Sequence, residues 1–208
     1  MECGHTTTQA ISIDEGYALP HTLKKMNVSG REVSQHLKSL LECHFEKLVW
    51  EDYLVDLIKK QVCRVDTKEG NCDSQLFELP DGSSIEIESA IAHCTEILFE
   101  NPNETISGVH ELISESIGSY KKRDEMYGSI VISGGSTMFP GFKERITREL
   151  EYLSNAPKVQ KIYDAPERTY ISWIGGSILV SLSLHYDICI SRHEYDESGP
   201  NAILRKCF

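Results

Sequence analysis

The sequence predicts an α/β protein, and two observations carry that expectation. Strand-like, β-branched runs alternate along the chain with stretches of helical period. The run Ser129-Ile130-Val131-Ile132-Ser133 also ends in Gly134-Gly135 at a helix entrance, as a strand of an α/β sheet does. No internal repeat or low-complexity tract interrupts the pattern.

The elements follow in order. Thr7 to Ile13, rich in Thr and Ile, reads as a strand, broken by Gly16-Tyr17-Ala18-Leu19-Pro20. Ser29 and Glu32 have capping-box spacing. Val33, Leu37, Leu40, Leu41, Phe45 and Leu48 continue at helical intervals. A second helix is predicted over Glu51 to Val62, with Leu54, Leu57 and Ile58 on one face. Thr67 to Ser74 reads as a loop. Leu76–Leu79 and Ile85–Ile87 flank the turn Pro80-Asp81-Gly82 as a hairpin. A helix fits Ser89 to Phe99, and Asn101-Pro102-Asn103 a turn. Val109, Leu112, Ile113, Ile117 and Tyr120 mark another helix. After the Ser129–Ser133 strand, a helix carries Phe142, Ile146, Leu150 and Leu153 inward, and Val159 to Tyr163 is a strand candidate. Trp173 to Leu184 reads as a buried helix whose Gly175-Gly176 permits close packing, and the tail from Glu194 as short polar helices.

Composition bounds the function. The chain has 208 residues, 40% apolar and 25% charged, enough to build a core. Its net charge of -11 argues against a nucleic-acid or anionic-membrane partner. No apolar run approaches the roughly 18 residues of a membrane span, and the N-terminal residues do not read as a signal peptide. The seven cysteines, at 3, 43, 63, 72, 94, 189 and 207, match neither zinc spacing nor a disulfide framework. Reduced thiols filling apolar space in a cytosolic compartment are expected.

The Gly134-Gly135-Ser136-Thr137 turn suits two roles. Small residues at a helix entrance let backbone N–H groups approach a phosphate. The same turn serves equally as a structural element of the sheet.

Several motifs give the turn a context. Ile132-Ser133-Gly134-Gly135-Ser136-Thr137-Met138-Phe139-Pro140-Gly141 resembles the actin family closely. So do Glu15-Gly16-Tyr17-Ala18-Leu19-Pro20-His21, Glu78-Leu79-Pro80-Asp81-Gly82 and Trp173-Ile174-Gly175-Gly176-Ser177-Ile178-Leu179. Glu194-Tyr195-Asp196-Glu197-Ser198-Gly199-Pro200 and Arg205-Lys206-Cys207-Phe208 complete the series in actin order. The resemblance implies an actin-like, ribonuclease H-like half-fold: a mixed sheet with flanking helices and an inserted, mainly helical subdomain. Residues 1–27 and 104–170 then resemble subdomain 3, residues 28–103 subdomain 4, and residues 171–208 the C-terminal helices of subdomain 1. The family's N-terminal half has no counterpart here. The strand over Thr7–Ile13 is therefore expected to lack a neighbour and to present an open edge.

By the same resemblance, the nucleotide-site remnant comprises Gly4, Lys59, Gly134, Gly135, Met138 and Phe139. Departures accompany it. Glu2-Cys3-Gly4-His5-Thr6 stands where the family has Asp-Ser-Gly-Asp-Gly. Thr6 adds a side chain where backbone must approach phosphate. Lys60 replaces a ribose-binding glutamate, and Thr169 a lysine that packs on adenine. The shorter Asn101–Ser107 region lacks the apolar tip of the family's plug between filament strands. Gly16, Tyr17, Leu179, Leu182, Leu184 and Ile188 map to the family's target-binding groove. They serve equally to pack subdomain 3 on the C-terminal helices.

The resemblance with these departures implies a non-catalytic actin-related protein, a structural subunit of a cytoskeletal or other multiprotein assembly. It implies protein partners, no catalytic residues, no metal, no cofactor and no self-polymerisation. The alternative is an actin-like ATPase whose N-terminal half is supplied elsewhere, binding ATP or ADP weakly. The setting implied is cytoplasmic and cytoskeletal. A stable array such as a ciliary axoneme, or a chromatin-remodelling complex, also suits an actin without ATPase.

Overall fold

The structure is a computed structural model describing all of the chain except residues 47, 68–73, 89–90, 92, 101–107, 119, 154–156, 160, 183–188 and 207–208. It forms two compact units, Met1–Thr169 and Tyr170–Phe208. The strands of the first are β1 (Glu2–Cys3), β2 (Thr8–Ala10), β3 (Ile13–Asp14), β4 (Tyr17–Ala18), β5 (Lys24–Met26), β6 (Gln75–Glu78), β7 (Ser84–Ile87), β8 (Ile130–Val131) and β9 (Ile162–Tyr163). Its helices are α1 (Gly30–His44), α2 (Asp52–Gln61), α3 (Val109–Ile117), α4 (Arg123–Gly128) and α5 (Phe142–Tyr152). Two 3-10 helices, Cys94–Leu98 and Gly135–Met138, complete the part that shapes the site.

β2 is the middle strand of an antiparallel trio, pairing Thr8 with Cys3 of β1 and with Met26 of β5. Thr8 and Ala10 are buried and Gln9 between them is not, the period-2 pattern of a pleat. The expected open edge over Thr7–Ile13 is thus corrected. The strand ends at Ala10 and is paired on both sides. The turn closed by Gly4 N–H on the Thr7 carbonyl, at 3.0 Å, folds β1 back onto it. Beyond Ala10 the backbone turns to other partners: Ser12 N–H donates to Thr22 Oγ1 at 3.0 Å, and Ser12 O accepts from Leu19 N–H at 2.9 Å.

β1 also joins a second ladder. Cys3 N–H donates to Ser133 O at 2.8 Å and Ser133 N–H to Met1 O at 2.9 Å, forming a parallel bridge. Ser133 continues from β8, which runs parallel to β9. The bridge links the three-stranded sheet β5-β2-β1 to the parallel pair β8-β9. The predicted Ser129–Ser133 strand is shorter than expected and not buried on both faces. Ile130 and Ile132 are buried, whereas Val131 between them is exposed.

Of the helices, α3 packs on the sheet, α1 packs on α2 and the Cys94–Leu98 turn, and α2 buries Val55, Ile58 and Lys59 where the sequence indicated Leu54, Leu57 and Ile58. α1 starts at the predicted capping box, with Ser29 N–H donating to Glu32 Oε2 at 3.0 Å. It buries Val33, Leu37 and Leu41, and Leu48 falls beyond its end. α3 packs on β2, β5 and α5, and stops at Gly118, whose φ is 51°. α5 buries Phe142, Ile146 and Leu150. The β6–β7 hairpin forms as read. Of the helix predicted over Ser89–Phe99, Ile91 is helical and Cys94–Leu98 forms a 3-10 helix, with Ser89, Ala90 and Ala92 outside the described residues. α4 was not foreseen; its one buried residue, Tyr127, gives no periodicity to read.

The second unit contains α6 (Ile171–Ser181), α7 (Arg192–Ser198), a 3-10 turn Gly199–Ala202 and α8 (Ile203–Lys206). The expectation of a buried helix over Trp173–Leu184 is corrected: no side chain of α6 is buried, and Trp173 is 74% exposed. A Cβ at Gly175 or Gly176 would meet nothing within 4 Å. The physical reason is that the other described helices of the unit, four to seven residues long, are too short to cover an apolar helix.

The junction of the two ladders sets one glycine apart. Gly134 has φ 94°, and a Cβ there would lie 2.3 Å from Cys3 O. Gly135 is different, since its Cβ would meet only Thr169 Cγ2 at 3.9 Å. Gly134→Ala is expected to destabilise by about 2–4 kcal/mol, while Gly135→Ala stays within about 0.5 kcal/mol of wild type. Thermal unfolding of the two variants side by side checks this, and equal melting temperatures would contradict it.

Candidate functional site

The N-terminal loop, α2 and the turn before α5 surround a cleft of about 350 Å³ in the first unit. Its lining is His5, Asp56, Lys59, Lys60, Gly135, Ser136, Met138, Phe139 and Pro140. Each wall has a local cause. The loop is held by α1, whose first N–H groups would otherwise lack partners. Gly30 N–H donates to Gly4 O at 3.0 Å and Arg31 N–H to His5 O at 2.7 Å. Ser136 Oγ donates to the same Gly4 carbonyl at 2.9 Å, which ties the loop to the opposite turn. That turn is held in place by Arg168, whose Nη2 donates to Thr137 O at 3.0 Å.

The third wall is one face of α2. Asp56, Lys59 and Lys60 stand at i, i+3 and i+4, so their side chains converge. Lys59 Nζ lies 2.9 Å from Asp56 Oδ1 and Lys60 Nζ 2.6 Å from Asp56 Oδ2. Lys59 is buried, and its Nζ also donates to Ser34 Oγ at 2.7 Å. Burial pushes the Asp56 carboxyl up, but hydrogen bonds from Lys60 and Lys59, with their charges, outweigh it and hold the group below its ordinary range. Asp56 is therefore an ionised clamp between two cations.

Of the remnant residues read from sequence, Lys59, Gly135, Met138 and Phe139 line the cleft. Gly4 and Gly134 are not among the lining residues. The Gly4 carbonyl serves α1 and Ser136, and Gly134 makes room for β1. Glu2 accepts from Gln9 Nε2 at 3.0 Å. Glu2, Thr6 and Thr169 are likewise absent from the lining, whereas His5 and Lys60, read as departures, form part of it. Ser136 belongs to the turn read as a phosphate cradle, whereas Asp56 and Pro140 were missed; the i, i+3, i+4 spacing to the lysines was the available signal for Asp56. Of the groove residues, Gly16 and Tyr17 lie at the exposed β3–β4 hairpin of the first unit, and Leu179 and Leu182 in the second. Leu184 and Ile188 lie outside the described residues.

A family model for actin matches residues 44–208. The chain belongs to the actin family. No helix among the described residues is long and apolar enough to cross a membrane. The family's ligand is a nucleotide, and the lining can be tested against one. Lys59, Lys60 and Ser136 suit phosphate oxygens. A ribose needs acceptors, and Asp56, the one carboxylate of the lining among the described residues, has each oxygen bonded by a lysine. The lining so described offers partners for phosphate more readily than acceptors for a ribose.

Releasing the clamp should uncover the cations. Asp56→Asn is expected to raise the affinity of the cleft for inorganic tripolyphosphate about 2–5-fold, the size of a surface ion pair. Calorimetric titration of both proteins reads it, and unchanged or weaker binding would contradict the arrangement. A carboxyl whose folded pKa is depressed stabilises above its unfolded value, here near 3.8, and loses that contribution as pH falls through the folded one. Acid unfolding followed by circular dichroism should accordingly show a shallower decline below about pH 4 in Asp56→Asn than in wild type.

Proposed function

We propose that this chain is a non-catalytic actin-family protein that serves as a structural subunit of a multiprotein assembly in a cytoskeletal setting. Its sheet and flanking helices are read as the ribonuclease H-like half of that fold. The observation that carries the proposal is the Asp56 clamp. In a cleft that would have to hold ribose and move a proton, the carboxylate is committed to Lys59 and Lys60. A base must have a pKa near the working pH, and this group is held in the opposite direction. The apolar surface of α6 supports a protein partner: Trp173, Ile178, Leu179, Val180 and Leu182 are all exposed.

A second reading rests on the cations of the cleft. Another chain that supplied the opposite wall, with its own acceptors, would complete a site for ATP or ADP. Phosphate release by the chain alone tests the first reading. The purified chain with ATP and Mg²⁺ is expected to turn over no faster than a protein-free control. Turnover above that control, lost in Lys59→Ala, would overturn the proposal. Sedimentation in polymerising salt is expected to leave the chain without helical filaments; filaments seen by negative stain would count against a subunit that depends on other proteins for assembly.

A further inference from the structure

We propose that Cys63 and Cys94 close into a reversible disulfide, which makes the seam between α2 and the Cys94–Leu98 turn a site of redox modification. The spacing of the cysteines along the sequence gives no hint of it, because 31 positions separate the two residues. The fold brings them together. Cys63 follows the C-cap of α2, and Cys94 opens the 3-10 turn. The Cys94 thiol donates to Cys63 Sγ across 3.4 Å. A disulfide needs about 2.0 Å between sulfurs, a closing of about 1.4 Å, or roughly 0.7 Å for each side chain.

The seam is fastened on the same side in register with this pair. One residue along both segments, Thr95 Oγ1 donates to Arg64 O at 2.6 Å. A little further, Asp66 N–H donates to Glu96 Oε1 at 3.1 Å. Arg145 then pins both ends: its Nη1 donates to Glu96 Oε2 at 2.7 Å and to Asp66 O at 3.0 Å. The two backbones are therefore held at fixed separation, and the sulfurs stay within reach of each other rather than meeting by chance.

Burial defines the oxidant. The two residues are 2% and 1% exposed, so a small peroxide suits the site better than a bulky disulfide such as oxidised glutathione. The bond from Cys94, and burial, push the Cys94 thiol up and leave it as the donor. As the acceptor of that hydrogen bond, Cys63 is the sulfur that reacts first. It loses its proton to water and attacks one oxygen of hydrogen peroxide. The O–O bond breaks, hydroxide leaves and is protonated to water, and Cys63 becomes a sulfenic acid. The Cys94 sulfur attacks that sulfur, the S–O bond breaks, and the departing hydroxide takes the Cys94 proton as a second water. Two thiols lose two electrons and the peroxide gains them. An external dithiol reverses the step by exchange.

The test uses the whole wild-type chain treated with hydrogen peroxide, alkylated, digested without reductant and mapped by mass spectrometry. A linked peptide joining Cys63 to Cys94, lost on adding dithiothreitol, is expected. With it, the melting temperature should rise by roughly 5–10 °C, because the bond closes a loop of about 30 residues in the unfolded chain. Cys94→Ala should abolish both the peptide and the rise. The proposal is overturned if Cys63 and Cys94 remain alkylatable after peroxide and unfolding, or end as separate sulfinic acids. It is equally overturned if Cys94→Ala shows the same peroxide-induced rise.

Discussion

The first unit depends on how closely β1 can approach the start of the Gly-Gly turn. Two backbone bonds, Cys3 N–H to Ser133 O and Ser133 N–H to Met1 O, weld an antiparallel ladder to a parallel one. They form only because residue 134 lacks a side chain and takes a positive φ. The loop between β1 and β2 then reaches the N-terminus of α1, and its carbonyls cap that helix. The cleft is a by-product of these bonds: its loop wall and its turn wall share Gly4 O as a common anchor.

Much of this was legible beforehand, for reasons that differ by element. α1 and α5 bury one face each, so a 3.6-residue period survives in the sequence. The capping box at Ser29 and the Pro80-Asp81-Gly82 turn are local chemistry, set by residues a few positions apart. Pairing is not local, and there the sequence reading failed. Nothing within Thr7–Ile13 says that Glu2–Cys3 will fold back beside it. Nor does an apolar stretch such as α6 state whether its cover lies in the same unit.

The site shows the same division. Resemblance pointed to Gly134 and Gly135 together, yet one glycine serves the backbone of the sheet and the other faces the cleft. Only geometry separates them. Asp56 carries no motif of its own in the sequence, whereas the helix makes Lys59, Lys60 and Asp56 one electrostatic unit. A buried cation deeper in the unit is managed in a similar way. Arg145, 2% exposed, is met by Glu96 and Glu149 at 2.7 and 2.6 Å and lies 5.0 Å over the Phe99 ring. Desolvation of a guanidinium is tolerable when charge and hydrogen bonds surround it on this scale.

The weld at β1 has a consequence for synthesis. Its two halves lie about 130 residues apart in the chain. A ribosome adding roughly 5–20 residues per second needs about 7–26 s to deliver Ser133 after Cys3 has emerged. Until then one side of β1 has no backbone partner, while β2 on its other side is available early. β1 therefore waits as a half-paired strand, the kind of edge on which holding chaperones act. Vectorial translation, more than equilibrium stability, governs when this sheet is complete.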